Sequence, residues 1–308
     1  NHRMAGRTEW IAVDWGTSNL RAWGIDAGGS ITFAAFSDKG MGRLEPSAFP
    51  AALTEVLTGH VERDGDPLDV LISGMAGARQ GWREAPYLET PANLARLAAA
   101  SVRPEIKGSR LSPRILPGIC QREPGAEDVM RGEETQLLGV SALIKGFSGI
   151  VVMPGTHSKW VELDGRMVRR FATAMTGEIF EVLGTHSVLR HSVSGADDDG
   201  DRNEGFESGL NAGLARPEML VSELFRIRPR ALLSGVDPAW CSGFLSGLLI
   251  GAEIGGLRRW TSGGEIPLVG GKKLCSLYAR GFAKLGISTR MVDATDATLA
   301  GLKAAREL

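Results

Sequence analysis

The feature that most constrains this chain is a short strand–turn–strand pattern that occurs twice. In the first copy the apolar run Trp10–Val13 leads into Gly16–Thr17, and in the second copy Ile150–Met153 leads into Gly155–Thr156. Another extended run follows each turn. Turns rich in glycine and threonine expose successive backbone N–H groups and hydroxyls, which suit phosphate oxygens. The pattern predicts two hairpins that hold the phosphates of a nucleotide from the two sides of a cleft.

The order of the predicted elements also repeats along the chain. Each half begins with three strands: Glu9–Asp14, Leu20–Asp26 and Ser30–Phe36 in the first, and Gly149–Met153, Lys159–Leu163 and Met167–Ala172 in the second. A helix, a strand, a helix over Leu94–Ala100 and a strand over Arg114–Pro117 complete the first half. The second half continues with helices near 177–190, 203–214, 217–227 and 238–259, then strand, helix, strand and the terminal helix Ala294–Arg306. We therefore predict two α/β domains, residues 1–120 and 121–308, with a helical insertion in the second and a terminal helix that packs back on the first.

Composition narrows the class of protein. The chain has 308 residues and a net charge of −1, a balance that does not favour binding to nucleic acid or to an anionic membrane. No apolar run approaches the ~18 residues that cross a bilayer, and no signal-peptide pattern is present. Three isolated cysteines, without a Cys-x-x-Cys pair, are typical of a reducing compartment. We expect a cytoplasmic protein with a small-molecule substrate and with the capacity to form a homo-oligomer.

Three motifs carry a resemblance to a known family. Asp14-x-Gly16-Thr17-x-x-x-Arg21 is similar to the first phosphate loop of sugar kinases in the actin/hexokinase/Hsp70 superfamily, Pro154–Thr156 resembles the second, and Leu268–Gly271 resembles the adenosine motif. The whole chain resembles the 2-dehydro-3-deoxygalactonate kinase family, most specifically in Arg131–Leu137 and Met153–His157. This resemblance implies two RNase H-like domains of the actin-like ATPase type with a cleft between them.

The resemblance also implies a reaction. ATP, with Mg²⁺, would phosphorylate the terminal 6-hydroxyl of 2-dehydro-3-deoxy-D-galactonate, a step in galactonate and galactose catabolism. Asp14 would hold Mg²⁺ through water, as a hard oxygen ligand can, and Arg21 would reach the transferring phosphoryl group. The residues expected to contact the nucleotide are Gly16, Thr17, Gly155, Thr156, Gly270 and Gly271.

The catalytic base of related sugar kinases is an aspartate at a helix start, shortly before the second phosphate loop. The family spacing, counted back seven residues from Gly139, falls on Gly132, so this chain departs from the pattern. Glu133 and Glu134 occupy the same region, and we favour Glu133 over Glu134. Acidic residues in a first helical turn also interact favourably with the helix dipole, so capping is the competing interpretation.

A sugar-acid substrate needs donors for its carboxylate, and a bidentate arginine suits that group. Arg79 and Arg83 are candidates, with solvated loop charges as the alternative for both. Trp82 and Met75 would form an apolar wall or part of the core. The full predicted substrate set is Ser18, Asn19, Met75, Gly77, Arg79, Trp82 and Arg83.

Two alternative functions remain open at this stage. A kinase for another sugar or sugar acid would share the fold and the phosphate loops, because fold does not choose the substrate. A non-catalytic ATP-dependent switch protein would share the nucleotide site but would phosphorylate no small molecule.

Overall fold

The structure, a computed structural model, describes residues 6–195, 198–261 and 263–308. The chain divides into two compact units. The first comprises the chain up to Ser148 together with Leu163–Arg170 and Ala294–Leu308, and the second comprises Gly149–Glu162 and Phe171–Asp293. The boundary expected at residue 120 thus lies inside the first unit, and the terminal helix belongs to that unit.

The described residues form strands and helices in nearly the predicted order. The strands are β1 (Thr8–Trp15), β2 (Leu20–Asp26), β3 (Ile31–Ser37), β4 (Leu68–Gly74), β5 (Tyr87–Glu89), β6 (Ala92–Asn93), β7 (Leu111–Ile115), β8 (Gly118–Gln121), β9 (Asp128–Met130), β10 (Ser148–Met153), β11 (Ser158–Asp164), β12 (Met167–Ala174), β13 (Ile266–Gly270) and β14 (Thr289–Asp293). The α-helices are α1 (Phe49–Leu57), α2 (Glu133–Leu143), α3 (Thr176–His186), α4 (Arg190–Val193), α5 (Asp199–Ala215), α6 (Leu220–Ser234), α7 (Pro238–Gly256), α8 (Lys272–Lys284) and α9 (Ala294–Glu307).

The first unit is built on a five-stranded sheet with the order β3-β2-β1-β4-β7. β1 and β3 are antiparallel to β2, whereas β4 is parallel to β1 and to β7. Three antiparallel strands extended by two parallel ones are the arrangement expected of an RNase H-like domain. β1 is central and buried, so Trp10–Val13 reads as a continuous apolar run instead of an alternating one.

The second unit repeats this order. The six-stranded sheet β14-β13-β10-β11-β12-β6 contains the series β12-β11-β10-β13-β14, which again places the third, second, first, fourth and fifth strands of the repeat side by side. β13 is parallel to both β10 and β14. The duplicated element order that the sequence predicts is therefore present in the sheets themselves.

α5 and α7 pack with their backbones in contact. A Cβ atom added at Gly209 would lie 2.2 Å from the carbonyl oxygen of Phe244, and one at Gly247 would lie 2.1 Å from that of Phe206. No side chain fits at such positions, so glycine at four-residue intervals is what allows the two helices to approach. Among the residues that the structure describes, no helix is both long and apolar enough to cross a membrane.

Two predicted elements of the first half need correction. The helix expected over Leu94–Ala100 is a single 3₁₀ turn, Leu94–Arg96, capped by the Asn93 side chain, which accepts a hydrogen bond of 3.0 Å from Ala95 N. The strand expected over Arg114–Pro117 is Leu111–Ile115. This strand lies at a sheet edge and alternates between buried and less buried residues, and an edge position tolerates the proline within it.

Candidate functional site

The first glycine–threonine turn is fixed from behind by backbone hydrogen bonds. Gly16 N donates to Asn19 O at 2.9 Å, which closes the turn. The segment after β3 supports it, because Met41 N donates to Gly16 O and Gly42 N donates to Thr17 O, both at 2.9 Å. Thr17, Ser18 and Asn19 are exposed. The turn therefore has a defined backbone and presents its polar side chains at the surface.

Asp14 and Arg21 face each other across the β1–β2 pair that this turn connects. Arg21 Nη2 donates to Asp14 Oδ2 at 2.5 Å, and Arg21 Nη1 donates to Thr295 Oγ1 at 2.8 Å. The guanidinium also lies 5.2 Å from the centre of the Trp23 ring. The arginine is thus held in one orientation beside the carboxylate.

Asp14, at the end of β1, is compatible with Mg²⁺ only as an ion that keeps most of its waters. Across 6–195, 198–261 and 263–308, no group of three or more His, Cys, Asp or Glu side chains could hold a metal ion. Mg²⁺ keeps several of its waters and is commonly held by one or two carboxylates together with substrate phosphates. A single carboxylate at Asp14 is compatible with that mode and not with an all-protein cage.

Two glycines bring the start of α2 to the same strand end. Gly74 has φ 105°, and a Cβ there would lie 2.6 Å from the carbonyl oxygen of Trp15. Gly132 has φ 108°, and its Cβ would lie 3.7 Å from Gly74 Cα. An aspartate at position 132 would be strained at that φ. This backbone conformation is consistent with glycine, and not the aspartate of related kinases, seven residues before Gly139. A Cβ at Gly74 would also lie 3.6 Å from Asp14 Oδ1, so the backbone directly before α2 lies near Asp14.

Glu133 and Glu134 have different surroundings. Glu134 is completely buried, and its Oε2 accepts a hydrogen bond of 2.6 Å from Gly132 N. Burial, with the neighbouring Glu133 charge second, raises the pKa of Glu134 to about 8. Glu133 is only half-buried and accepts a hydrogen bond of 3.0 Å from Arg131 N. At neutral pH Glu134 is mainly protonated and cannot accept another proton.

The predicted substrate loop divides into exposed and packed residues. Arg79 is exposed, with its Nε 3.8 Å from Glu84, and Arg83, also exposed, donates to Arg103 O at 3.3 Å. Trp82 packs into the core, with ring centres 6.1 Å from Trp15 and 6.2 Å from Phe49.

The glycine-rich segment that follows β4 (the β4 exit) is largely buried within the first unit. Gly77 is buried and Met75 is half-buried. A Cβ at Gly77 would lie 3.0 Å from Nη1 of Arg131, whose guanidinium donates to Ala85 O at 2.9 Å and lies 4.6 Å from the Tyr87 ring centre. The structure therefore places Arg131 beside this exit, where the sequence analysis assigned it no role.

The second glycine–threonine turn, between β10 and β11, is held against the start of α3. A Cβ at Gly177 would lie 2.4 Å from the carbonyl oxygen of Gly155, and Glu178 N donates to Thr156 O at 3.0 Å. Gly155 is half-buried and Thr156 is exposed. The helix thus fixes the backbone of the turn while leaving its threonine accessible.

A cavity of about 1100 Å³ opens beside this turn, within the second unit. Gly155, Thr176 and Gly177 line one part of it, and the first two residues of α8, Lys272 and Lys273, line another. The charged residues of the lining are Asp199, Arg202, Lys272, Lys273 and Arg280, four basic against one acidic. Such a lining favours an anionic ligand.

The predicted adenosine motif directly precedes α8. A Cβ at Gly270 would lie 3.2 Å from the carbonyl oxygen of Pro154, so the end of β13 contacts the start of the second glycine–threonine turn. At Gly271 an added Cβ would meet no atom within 4 Å. The two predicted nucleotide motifs of the second unit are therefore neighbours in space.

The family model for 2-keto-3-deoxy-galactonokinase matches residues 14–305. The chain belongs to this family. A protein of Rhizobium meliloti (strain 1021), named as a probable 2-dehydro-3-deoxygalactonokinase, is 41% identical over 300 residues, which cover 96% of each chain. The 2-dehydro-3-deoxygalactonokinase of Escherichia coli (strain K12) is 36% identical over 295 residues, again 96% of each chain.

A crystal structure of a 2-dehydro-3-deoxygalactonokinase protein from Sinorhizobium meliloti is similar over nearly the full length. Its TM-score is 0.90 at 40% sequence identity, and the match covers 97% of this chain and 98% of the other. The predicted family, the mixed α/β fold and the assignment as a kinase that phosphorylates an alcohol group are confirmed. The roles assigned to individual residues, and the cleft, remain predictions.

One buried carboxylate of this 2-keto-3-deoxy-galactonokinase family member was missed by the sequence analysis. Glu253 on α7 is 7% exposed and accepts hydrogen bonds from Trp160, Thr176 and Tyr278. Burial raises the pKa of Glu253. A single glutamate inside an apolar helix is the only signal that the sequence offered, because its partners lie far away along the chain.

Proposed function

We propose that this protein transfers the γ-phosphoryl group of ATP to the 6-hydroxyl of 2-dehydro-3-deoxy-D-galactonate. The observation that carries the proposal is the basic cavity beside the Gly155–Thr156 turn, in a chain of the 2-keto-3-deoxy-galactonokinase family. The relatives in Rhizobium meliloti and Escherichia coli carry the name of this activity and match over 96% of the chain.

The nucleotide is assigned to the second unit. Backbone N–H groups and the hydroxyl of the Gly155–Thr156 turn would bind phosphate oxygens. Lys272 and Lys273 would add positive charge at the cavity wall. The open backbone at Gly271 leaves room for the nucleoside, because an added Cβ there meets nothing within 4 Å.

The transferring phosphoryl group and its metal ion are assigned to residues of the first unit. Gly16 and Thr17 would donate to phosphate oxygens, and Asp14 would hold Mg²⁺ through water. When bound, Mg²⁺ supplies positive charge against the phosphate oxygens. Arg21 lies 2.5 Å from Asp14 and would stabilise the charge that develops on the transferring group.

Glu133 is the proposed general base. The substrate hydroxyl must lose its proton as the O–P bond forms, and a carboxylate at the start of α2 can accept it. Glu134 is the weaker candidate because it is buried and its pKa of about 8 keeps it mainly protonated at pH 7. Most of the acceleration in phosphoryl transfer comes from positioning and charge stabilisation, and the base adds to these.

The sugar acid is assigned to the first unit, near the β4 exit. Ser18 and Asn19 are exposed donors on the first turn, and the buried Gly77 would offer its backbone to the substrate. Arg79 and Arg83 are exposed and would bind the 2-keto carboxylate. Met75 remains a candidate for the apolar wall, whereas Trp82 contributes by packing behind the turn on Trp15 and Phe49.

A cytoplasmic location is part of the proposal. ATP and reduced thiols are both compatible with that compartment, and Cys120, Cys241 and Cys275 are free and buried.

The test is a coupled assay of ADP release with a panel of keto acids. We expect steady turnover with 2-dehydro-3-deoxy-D-galactonate, product phosphorylated at the 6-position by NMR, and at least about tenfold lower kcat/KM for the gluconate-derived epimer. Highest turnover with another sugar or sugar acid would overturn the substrate assignment. ATP binding without turnover on any acid or sugar would favour the nucleotide switch.

A further inference from the structure

A single buried carboxylate connects the elements that surround the nucleotide cavity. Glu253 Oε1 accepts hydrogen bonds from Thr176 Oγ1 at 2.5 Å and from Tyr278 OH at 2.6 Å. Glu253 Oε2 accepts one from Trp160 Nε1 at 2.8 Å. The oxygens of Ser158 and Tyr278 lie 2.8 Å apart, so Ser158 can donate to the tyrosine while the tyrosine donates to Glu253.

Each donor lies close to a part of the nucleotide site. Ser158 and Trp160 belong to β11, which begins directly after the Gly155–Thr156 turn. Thr176 is the first residue of α3 and is followed by Gly177, which packs on the Gly155 carbonyl. Tyr278 lies on α8, the helix that follows Gly270–Gly271, and its side chain lines the cavity together with Thr176.

We propose that Glu253 is a positioning residue for the nucleotide, which holds the phosphate turn and the adenosine motif at the separation that ATP requires. This proposal rests on the proposed function for its ligand. Thr176 and Tyr278 line the large cavity whereas Glu253 does not, so Glu253 would act on the nucleotide through these two side chains.

The chemistry of the cluster supports a positioning role. Burying a carboxylate costs free energy unless several donors satisfy it. Here the donors are two hydroxyls and one indole N–H from three different elements, so the hydrogen bonds that satisfy the carboxylate also fix those elements relative to α7. A hydrophobic residue could fill the same volume, but it would leave the indole N–H and the hydroxyls without this acceptor.

The two informative substitutions are Glu253→Leu and Glu253→Gln. Leucine removes every hydrogen bond, whereas glutamine can turn its amide oxygen to Trp160 and donate to the hydroxyls of Thr176 and Tyr278, both of which can accept. If Glu253 acts by holding these groups, glutamine rescues most of what leucine loses. Glu181→Leu, at an exposed position on α3, is the matched control.

The experiment measures the Kd for ADP by calorimetry, together with KM for ATP and for the sugar acid. We expect Glu253→Leu to raise the Kd for ADP and the KM for ATP by about tenfold or more, as the loss of several buried hydrogen bonds does, with KM for the sugar acid changed less than about twofold. The Kd for ADP of Glu253→Gln should remain within about threefold of the parent value, and that of Glu181→Leu should equal the parent value.

Three results would overturn the proposal: an unchanged Kd for ADP in folded Glu253→Leu, an equal loss of affinity for both substrates, or a Gln variant as impaired as the Leu variant. If Glu253→Leu does not fold, Tyr278→Phe and Thr176→Val test the proposal instead, because each removes one hydroxyl that donates to Glu253. Unchanged Kd values for ADP in both variants would contradict the proposal. ADP binding needs no turnover, so an inactive parent protein would count against the proposed function alone.

Discussion

Asp14 Oδ2 lies 2.5 Å from Arg21 Nη2, and these two residues face each other across the adjacent strands β1 and β2. The second guanidinium nitrogen donates to Thr295, so the arginine is oriented by two partners. This pair lies at the end of the buried strand β1, beside the first glycine–threonine turn. Its position makes Asp14 the first residue to test for a role with the metal ion.

Asp14→Asn should lower kcat by at least about 10²-fold and raise the Mg²⁺ concentration needed for half-maximal rate, because the proposed water-mediated contact loses its charge. The measurement is initial rate against Mg²⁺ at saturating ATP. Asp64→Asn, an exposed position of the same unit, serves as the charge-matched control. An Mg²⁺ dependence equal to that of the control would remove Asp14 from the metal site.

Glu133→Gln and Glu134→Gln distinguish the two candidate bases. We expect Glu133→Gln to lower kcat by at least about 10²-fold with KM for ATP retained, because the proposed base loses its carboxylate. Glu134→Gln should keep kcat within a few-fold, since glutamine can accept the hydrogen bond from Gly132 N as the protonated acid does. The reverse pattern, in steady-state kinetics at pH 7, would transfer the role to Glu134.

Glu134 also predicts how stability depends on pH. Its pKa rises from 4.5 to about 8 on folding, so the folded state keeps a proton that the unfolded state loses above pH 4.5. Folding is therefore favoured most below that pH, and stability falls as pH rises through about 8. At ~1.4 kcal/mol per pKa unit, the loss amounts to a few kcal/mol.

The check is denaturant unfolding of the parent and of Glu134→Gln between pH 5 and pH 9. The parent should lose stability across this range more steeply than the glutamine variant, which cannot ionise. Parallel curves for the two proteins would mean that Glu134 does not carry the proton.

Gly177 and Gly184 give a matched pair of substitutions within α3. A Cβ at Gly177 would lie 2.4 Å from Gly155 O, whereas a Cβ at Gly184 would lie 3.8 Å from Val193 Cγ2, an ordinary contact. Gly177→Ala should displace the phosphate turn and raise the Kd for ADP by about tenfold. Gly184→Ala should leave that Kd unchanged and stabilise the protein by up to about 1 kcal/mol through helix propensity. Equal Kd values in the two variants would show that the turn does not depend on this contact.

The sequence was informative where the chemistry is local. Both glycine–threonine turns could be predicted because an apolar strand, a glycine–threonine pair and a second strand are adjacent in the chain. The close packing of α7 could also be predicted, since Gly243, Gly247 and Gly251 recur at four-residue spacing. These signals depend on a few neighbouring residues and not on the rest of the fold.

Features that depend on distant residues were not predictable in the same way. Glu253 finds its partners at Trp160, Thr176 and Tyr278, and only the completed second unit brings them together. The difference between Glu133 and Glu134 is also tertiary because, of these adjacent acidic residues in one helical turn, the first is half-buried and the second is completely buried. The helix expected over Leu94–Ala100 was wrong for a related reason: backbone pairing of Leu94 N with Arg166 O, at 2.8 Å, draws the segment toward β12.

The second unit ends at Asp293, whereas the first unit still requires α9. α9 contacts α2 so closely that a Cβ at Gly301 would lie 1.8 Å from Thr135 O, and one at Gly139 would lie 1.9 Å from Ala297 O. During synthesis from the N-terminus, the domain encoded later can therefore be complete before the one encoded earlier. The nascent first unit must wait with α2 uncovered, and this interval is when a chaperone would be most useful to the chain.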